Sequence, residues 1–210
     1  AATRPEELAA SQAREAAFPY RFPRESRQVG GKFSVDENRR RLLRYFYFER
    51  RLAQALGSWT LAIPEFEVSV ESGRHIFAHA DAARTLRERL TEQETRLADI
   101  DNFRDAEIDR LIEELCLCED TPELLAGAHQ VIGRALSTVY RHHIDDTDPV
   151  TDAPTVRALR RILVDYEPML AWAEGAVGAY VEGGIDESRL AGWRWHRQPE
   201  VGMAPVGTPG

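Results

Sequence analysis

The sequence has only two cysteines, Cys116 and Cys118. Two residues apart on a helix, they point away from each other, so a disulfide framework is excluded, and the second half of a zinc site is missing. No apolar run approaches the ~18 residues that cross a bilayer. The longest candidate, residues 175–181, is interrupted by glycine. No basic-then-apolar leader opens the sequence, which sets the expectation of a cytoplasmic protein. Period-2 alternation is absent, as are a Gly-rich phosphate loop and a serine or cysteine nucleophile arrangement, so the usual nucleotide-site and covalent-hydrolase signals are missing.

What remains is a helical, charge-segregated chain of 210 residues, 43% hydrophobic and 30% charged. That length suits one domain able to bury ~70% of its unfolded surface. The net charge of −8 is unevenly placed. Residues 91–125 carry twelve acids against Arg96, Arg104 and Arg110, whereas residues 1–58 carry twelve Lys/Arg against seven acids. Such a chain is a poor partner for nucleic acid and could pair head to tail with a second copy. The plain alternative for the acidic stretch is a solvated helix face.

Start and stop signals divide the chain. Thr3-Arg-Pro-Glu-Glu7 opens a short helix that Pro19 and Pro23 end, and the whole of 1–33 reads as an N-terminal helix and extended arm. Ser34-Val-Asp-Glu37 is a capping box, and the helix behind it runs to Gly57. Pro64 restarts a helix to about Leu90. A minor helix over 106–118 precedes Thr121-Pro-Glu123, which opens a helix to about Ile144. Asp145-Asp-Thr-Asp148 resembles an aspartate-rich magnesium motif but sits before Pro149 and lacks a partner motif, so it reads as a loop. Asp152-Ala-Pro154 opens the last helix, which stops at Gly183-Gly184. Residues 185–210 form a C-terminal arm with Trp193 and Trp195 and an end expected to be disordered.

Four long helices over 34–184 predict an all-α four-helix bundle. Apolar residues recur at 4-3 spacing: Leu42, Phe46, Ala53 and Leu56; Leu125, Ile132, Leu136 and Val139; Leu159, Ile162, Tyr166 and Met169. Polar residues interrupt these stripes. Glu49, Glu71, His75, His79, His129 and His143 fall on core positions, where a carboxylate is costly unless it is paired or bound to metal. Inward carboxylates and imidazoles at mid-helix can hold a metal, and Glu71, His75 and His79 stand on one ridge at i, i+4 and i+8. The alternative is a hydrogen-bonded polar cluster closed by Arg74 or Arg134. Tyr45-Phe-Tyr-Phe48 spreads rings around a helix, so one face is expected to meet the core and another an arm or a second subunit.

The helix through Tyr45 and Gly57, the segment Gly73-Arg-His-Ile-Phe-Ala-His79, and Thr147-Asp-Pro-Val-Thr-Asp-Ala-Pro-Thr-Val-Arg157 running into Asp165-Tyr-Glu-Pro-Met-Leu-Ala-Trp172 resemble the ferritin-like superfamily. The resemblance is to its bacterial branches related to the di-iron tRNA hydroxylases, over about residues 35–182. It implies a ferritin-like four-helix bundle with a carboxylate-bridged di-iron centre that activates dioxygen, each half supplying a glutamate and a Glu-x-x-His. Glu49 matches the glutamate of the first bundle helix. The Glu-x-x-His registers instead read His79-Ala-Asp-Ala82 and Tyr166-Glu-Pro-Met169, with Glu71, His75, His79 and Glu167 as nearby substitutes. Pro168 inside the last helix removes a backbone donor and marks either a specialised turn or a packing adjustment.

Three functions follow as expectations. The first is a metal-dependent oxidoreductase with iron or manganese on Glu49, Glu71, His75, His79 and Glu167, and with Tyr166 and His129 as catalytic groups beside the ligands. The second is a catalytically silent ferritin-like subunit of a larger assembly, or a homo-oligomer, joined through the terminal arms. The third is a bundle that takes a small organic ligand in its polar interior. The stripes further predict that Glu49 faces the interior at the level of His75 or His79.

Overall fold

The computed structural model describes residues 32–190, and every element among them is helical. Helix α1 spans Val35–Trp59; the Ser34 hydroxyl accepts from the Glu37 amide at 3.2 Å and so satisfies one of the unpaired first-turn donors. Glu37 turns its carboxylate to Arg41 at 2.9 Å, so the reciprocal half of the capping box is not made. Helix α2 spans Phe66–Glu92, just past Pro64. Two shorter helices follow, α3 (Leu97–Asp101) and α4 (Ala106–Cys116), the latter capped by the Asp105 carboxylate. Helix α5 (Thr121–Leu125) is capped by Asp120 with proline in its first turn; it passes into a π-helical segment, Ala126–Gly133, and then into α6 (Arg134–Asp146). Helix α7 spans Ala153–Glu182 and continues across Pro168. Gly184, at φ +105°, supplies the left-handed residue that stops it.

Long-range side-chain pairs give the helix directions. Arg39 reaches the Gln93 carbonyl while Glu49 meets His79, so α1 and α2 run antiparallel. Arg89 meets Asp152 and His79 meets Tyr166, which sets α7 antiparallel to α2. Arg134 pairs with Glu174 and Arg141 with Glu167, so α6 and α7 also oppose each other. The apolar stripes close on one another: Leu42, Leu52, Leu86, Leu90, Ile132, Leu136 and Leu159 are all fully buried. Each such side chain stabilises the fold by ~1.5–3 kcal/mol relative to exposure, which is why the 4-3 spacing rather than helix propensity decides the packing.

All of Tyr45, Phe46, Tyr47 and Phe48 are buried within the chain. The outer pair is covered from the α3–α4 side, with Tyr47 edge-on to Phe103 at 5.7 Å and its hydroxyl donating to Asp109 at 2.7 Å. Part of the acidic stretch meets arginines of its own chain. Asp105 and Glu107 pair with Arg44, Asp109 with Arg51, and Asp101 with Arg87, all inside the chain. The Asp145–Asp148 motif, expected as a loop, is divided: Asp145 and Asp146 close α6, and Asp148 stands in the turn behind it, accepting from the Val150 and Thr151 amides. Of the expected arms, 1–33 and 185–210, the residues Phe18, Tyr20, Phe22, Trp193 and Trp195 lie outside the described residues, while Leu190 is buried.

Candidate functional site

Glu49 sits mid-way along α1 and is fully buried. Its Oε1 accepts from the hydroxyls of Tyr140 at 2.6 Å and Tyr166 at 2.7 Å, and its Oε2 accepts from the Nδ1–H of His79 at 2.7 Å. Four helical elements thus meet at one carboxylate, because α2, α6 and α7 each bring a donor to α1. Taking a carboxylate out of water costs several kcal/mol, and donors to a charged acceptor offset it by ~1.5–3 kcal/mol each. Burial, reinforced by the Glu49 charge, holds both phenols well above their ordinary range. They therefore stay protonated and remain donors across the working pH range.

A second group of imidazoles lies beside the first. His75 and His129 share a contact between Nδ1 and Nε2 at 3.2 Å, with ring centroids 4.7 Å apart, and Trp172 stands edge-on to His75 at 5.1 Å. His129 lies parallel to His79, at 6.4 Å between centroids. The π-helical segment carries His129, which lies on the buried stripe with Leu125, Ile132 and Leu136. Burial, with repulsion from His79 and Arg74, lowers His75 to about 4. Burial, with His75 and His79 alongside, lowers His129 well below the usual imidazole range. Both rings are neutral at pH 7. Three buried ring nitrogens, His75 Nε2, His79 Nε2 and His129 Nδ1, have no hydrogen-bond partner among the described residues.

A third polar run lies towards the other end of α1. Tyr45 donates to His143 Nδ1 at 3.1 Å, and His143 Nε2–H donates to Asn38 Oδ1 at 2.8 Å. Asn38 in turn donates to Asp152, which Arg89 also holds. With both ring nitrogens used as one donor and one acceptor, His143 suits only the neutral state, and burial lowers it to about 4.

The predicted site residues divide accordingly. Glu49, His75, His79, His129 and Tyr166 come together in the interior. Glu71 stands at its edge: one oxygen pairs with Arg74 at 2.6 Å and the other is 3.8 Å from His75 Nε2, beyond hydrogen-bond range. Glu167 does not join; it lies on the outer surface in an ion pair with Arg141 at 2.9 Å. It follows Tyr166 directly, and a helix turns successive side chains to different faces. Arg134, the other candidate to close the cluster, pairs outside with Glu174.

Tyr140 is the residue the stripes missed. They select Val139, which is only half-buried, while Tyr140 is fully buried. Tyr140 stands four residues after Leu136 and three before His143, so it shares their α-helical face, and a strict 4-3 count from Leu136 stops one position short of it.

A carboxylate-bridged iron or manganese pair needs several inward carboxylates, and the residues present do not fit it. Glu49 is the one fully buried glutamate among the described residues, and both its oxygens are engaged by protein donors. Among those residues no three His, Cys, Asp or Glu side chains converge closely enough to hold an ion. No protein-family model matches this chain, and neither does any curated protein or solved structure.

Proposed function

We propose that this chain is a four-helix bundle of ferritin-like type that acts through its outer surface, as a catalytically silent structural or interaction subunit. The observation that carries the proposal is the saturation of Glu49. A carboxylate that accepts from two phenols and an imidazole ties α1 to α2, α6 and α7 and has a protein donor on each oxygen, which a metal or a substrate would have to displace or crowd. On the outside, Phe66, Val70 and Phe77 are exposed at 76%, 44% and 71% along one line of α2, apolar surface of the kind that mediates association. The test joins metal content with stability. Wild type from iron- and manganese-supplemented growth should carry no stoichiometric metal by plasma mass spectrometry, and Glu49→Ala should be less stable than wild type. Stoichiometric metal that Glu49→Ala abolishes, with a more stable apo protein, defeats the proposal.

The metal-dependent oxidoreductase keeps one specific observation in its favour: the unpartnered nitrogens of His75, His79 and His129. Neutral imidazoles suit borderline divalent metals better than a hard carboxylate-bridged pair does. On that reading a single ion would have to draw His75, His79 and His129 closer together than they stand; it would supply Lewis-acid or redox chemistry, and Glu49 would orient the His79 ring through Nδ1. The same elemental analysis decides between the two.

A further inference from the structure

A groove of about 440 Å³ opens on the outer side of the α1–α2 pair. Phe46 and Ala53 from α1 and Ala80 and Ala83 from α2 line its apolar part, Arg50, Arg84 and Arg87 stand around it, and Gln54 and the Asp101 carboxylate complete the lining. Its size is that of a small-molecule site. The three arginines are not equivalent. Arg84 is engaged by Asp81 and Glu88, and Arg87 by Asp101. The neighbouring arginines of α1 also have carboxylates: Arg44 has Asp105 and Glu107, and Arg51 has Asp109.

Arg50 has none among the described residues. Its guanidinium lies 5.3 Å from the ring centroids of both Phe46 and Tyr47, and its Nε is buried without a hydrogen-bond partner. The two rings hold the guanidinium by cation–π contact without using its N–H donors, which no carboxylate among the described residues takes up. We infer that the groove binds a small organic anion, whose carboxylate or phosphate group pairs with Arg50 and whose apolar body lies over Phe46, Ala53, Ala80 and Ala83. Charge complementarity selects the head group, since a planar guanidinium matches two oxygens of either anion. The alanines select the body: their short side chains are what leave the groove open, and a flat hydrocarbon fills it without displacing anything. The site is separate from the Glu49 cluster, so it stands whether or not the interior binds metal.

The test is isothermal titration of the full chain with 1-naphthoate, inorganic phosphate and the neutral 1-naphthalenemethanol as probes. Saturable 1:1 binding of naphthoate is expected, weakened about tenfold or more by Arg50→Gln. Arg141→Gln, on a distant surface, should leave it unchanged. Ala80→Trp should abolish it by filling the groove with Arg50 still in place, so the outcome does not hang on how Arg50→Gln folds. Inorganic phosphate that displaces naphthoate only when Arg50 is present assigns a phosphate-type head group, and failure to displace assigns a carboxylate; both support the site. Absence of saturable naphthoate binding to folded wild type overturns the inference. So does binding that Arg50→Gln and Ala80→Trp leave unchanged, or equal affinity for the neutral alcohol.

Discussion

Tyr140 and Tyr166 stand on different helices and donate to the same oxygen, Oε1 of Glu49, at 2.6 and 2.7 Å. Their rings meet edge to face at 5.9 Å. The shared acceptor makes α6, α7 and α1 interdependent at one point in the interior, and it gives the cluster a signature that can be measured.

If one phenol is removed, the other still satisfies Oε1. Tyr140→Phe and Tyr166→Phe should each cost ~1–3 kcal/mol, and the double variant should lose more than the sum, with a coupling of ~0.5–3 kcal/mol. Urea unfolding of the four-protein cycle reads this directly. Strict additivity would show that the two hydroxyls do not share the oxygen.

Replacement of Glu49 itself grades the network. Glu49→Ala strands two phenols and an imidazole in the interior and should cost ~3–5 kcal/mol, comparable to breaking a buried charge pair. Glu49→Gln keeps the shape and one acceptor oxygen, so its loss should be smaller, ~1–3 kcal/mol. The two midpoints in urea give the comparison, and equal losses would contradict it.

Acid should destabilise the fold through its buried imidazoles. His75 and His143 are each lowered to about 4 in the native state, chiefly by burial, against an ordinary value of 6.5. Between pH 6.5 and 4 the unfolded chain binds protons at these positions and the folded chain does not. Stability is therefore complete above pH 6.5 and falls as pH drops through that window. The slope is ~1.4 kcal/mol per pH unit for each histidine. Unfolding free energies at pH 7, 6 and 5 test the slope, and His143→Gln should flatten it by about one histidine's share.

Two glycines give opposite expectations for the same substitution. A Cβ at Gly133 would lie 2.9 Å from Leu170 Cδ2 and 3.3 Å from the Ala128 carbonyl, at the close approach of the π-helical segment to α7. Gly133→Ala should therefore lower the melting temperature. Gly73, inside α2, has nothing within 4 Å of such a carbon, and Gly73→Ala should stabilise the protein by ~0.5–1 kcal/mol through helix propensity. Thermal melts of the two variants should move in opposite directions.

Local chemistry in the sequence was enough for the helices and for part of the site. Ser34, Pro122, Pro154 and Gly184 mark helix ends because capping, proline and left-handed backbone are decided within a few residues. Glu49, His75, His79 and Tyr166 were legible as inward residues because a 3.6-residue period fixes which side chains share a face. Tyr140 was passed over because a strict 4-3 count steps from Leu136 to Val139, one position short of it, and Glu167 was carried inward by a motif that its neighbour Tyr166 occupies instead. The partners were not legible at all. Glu49 meets Tyr140 and Tyr166 across sequence separations of 91 and 117 residues. The acidic residues of α4 and the arginines of α1 likewise find each other only in the folded chain. Spacing along one helix determines what it presents, whereas the choice of which presented groups meet depends on how several helices pack at once, and that is a property of the tertiary structure alone.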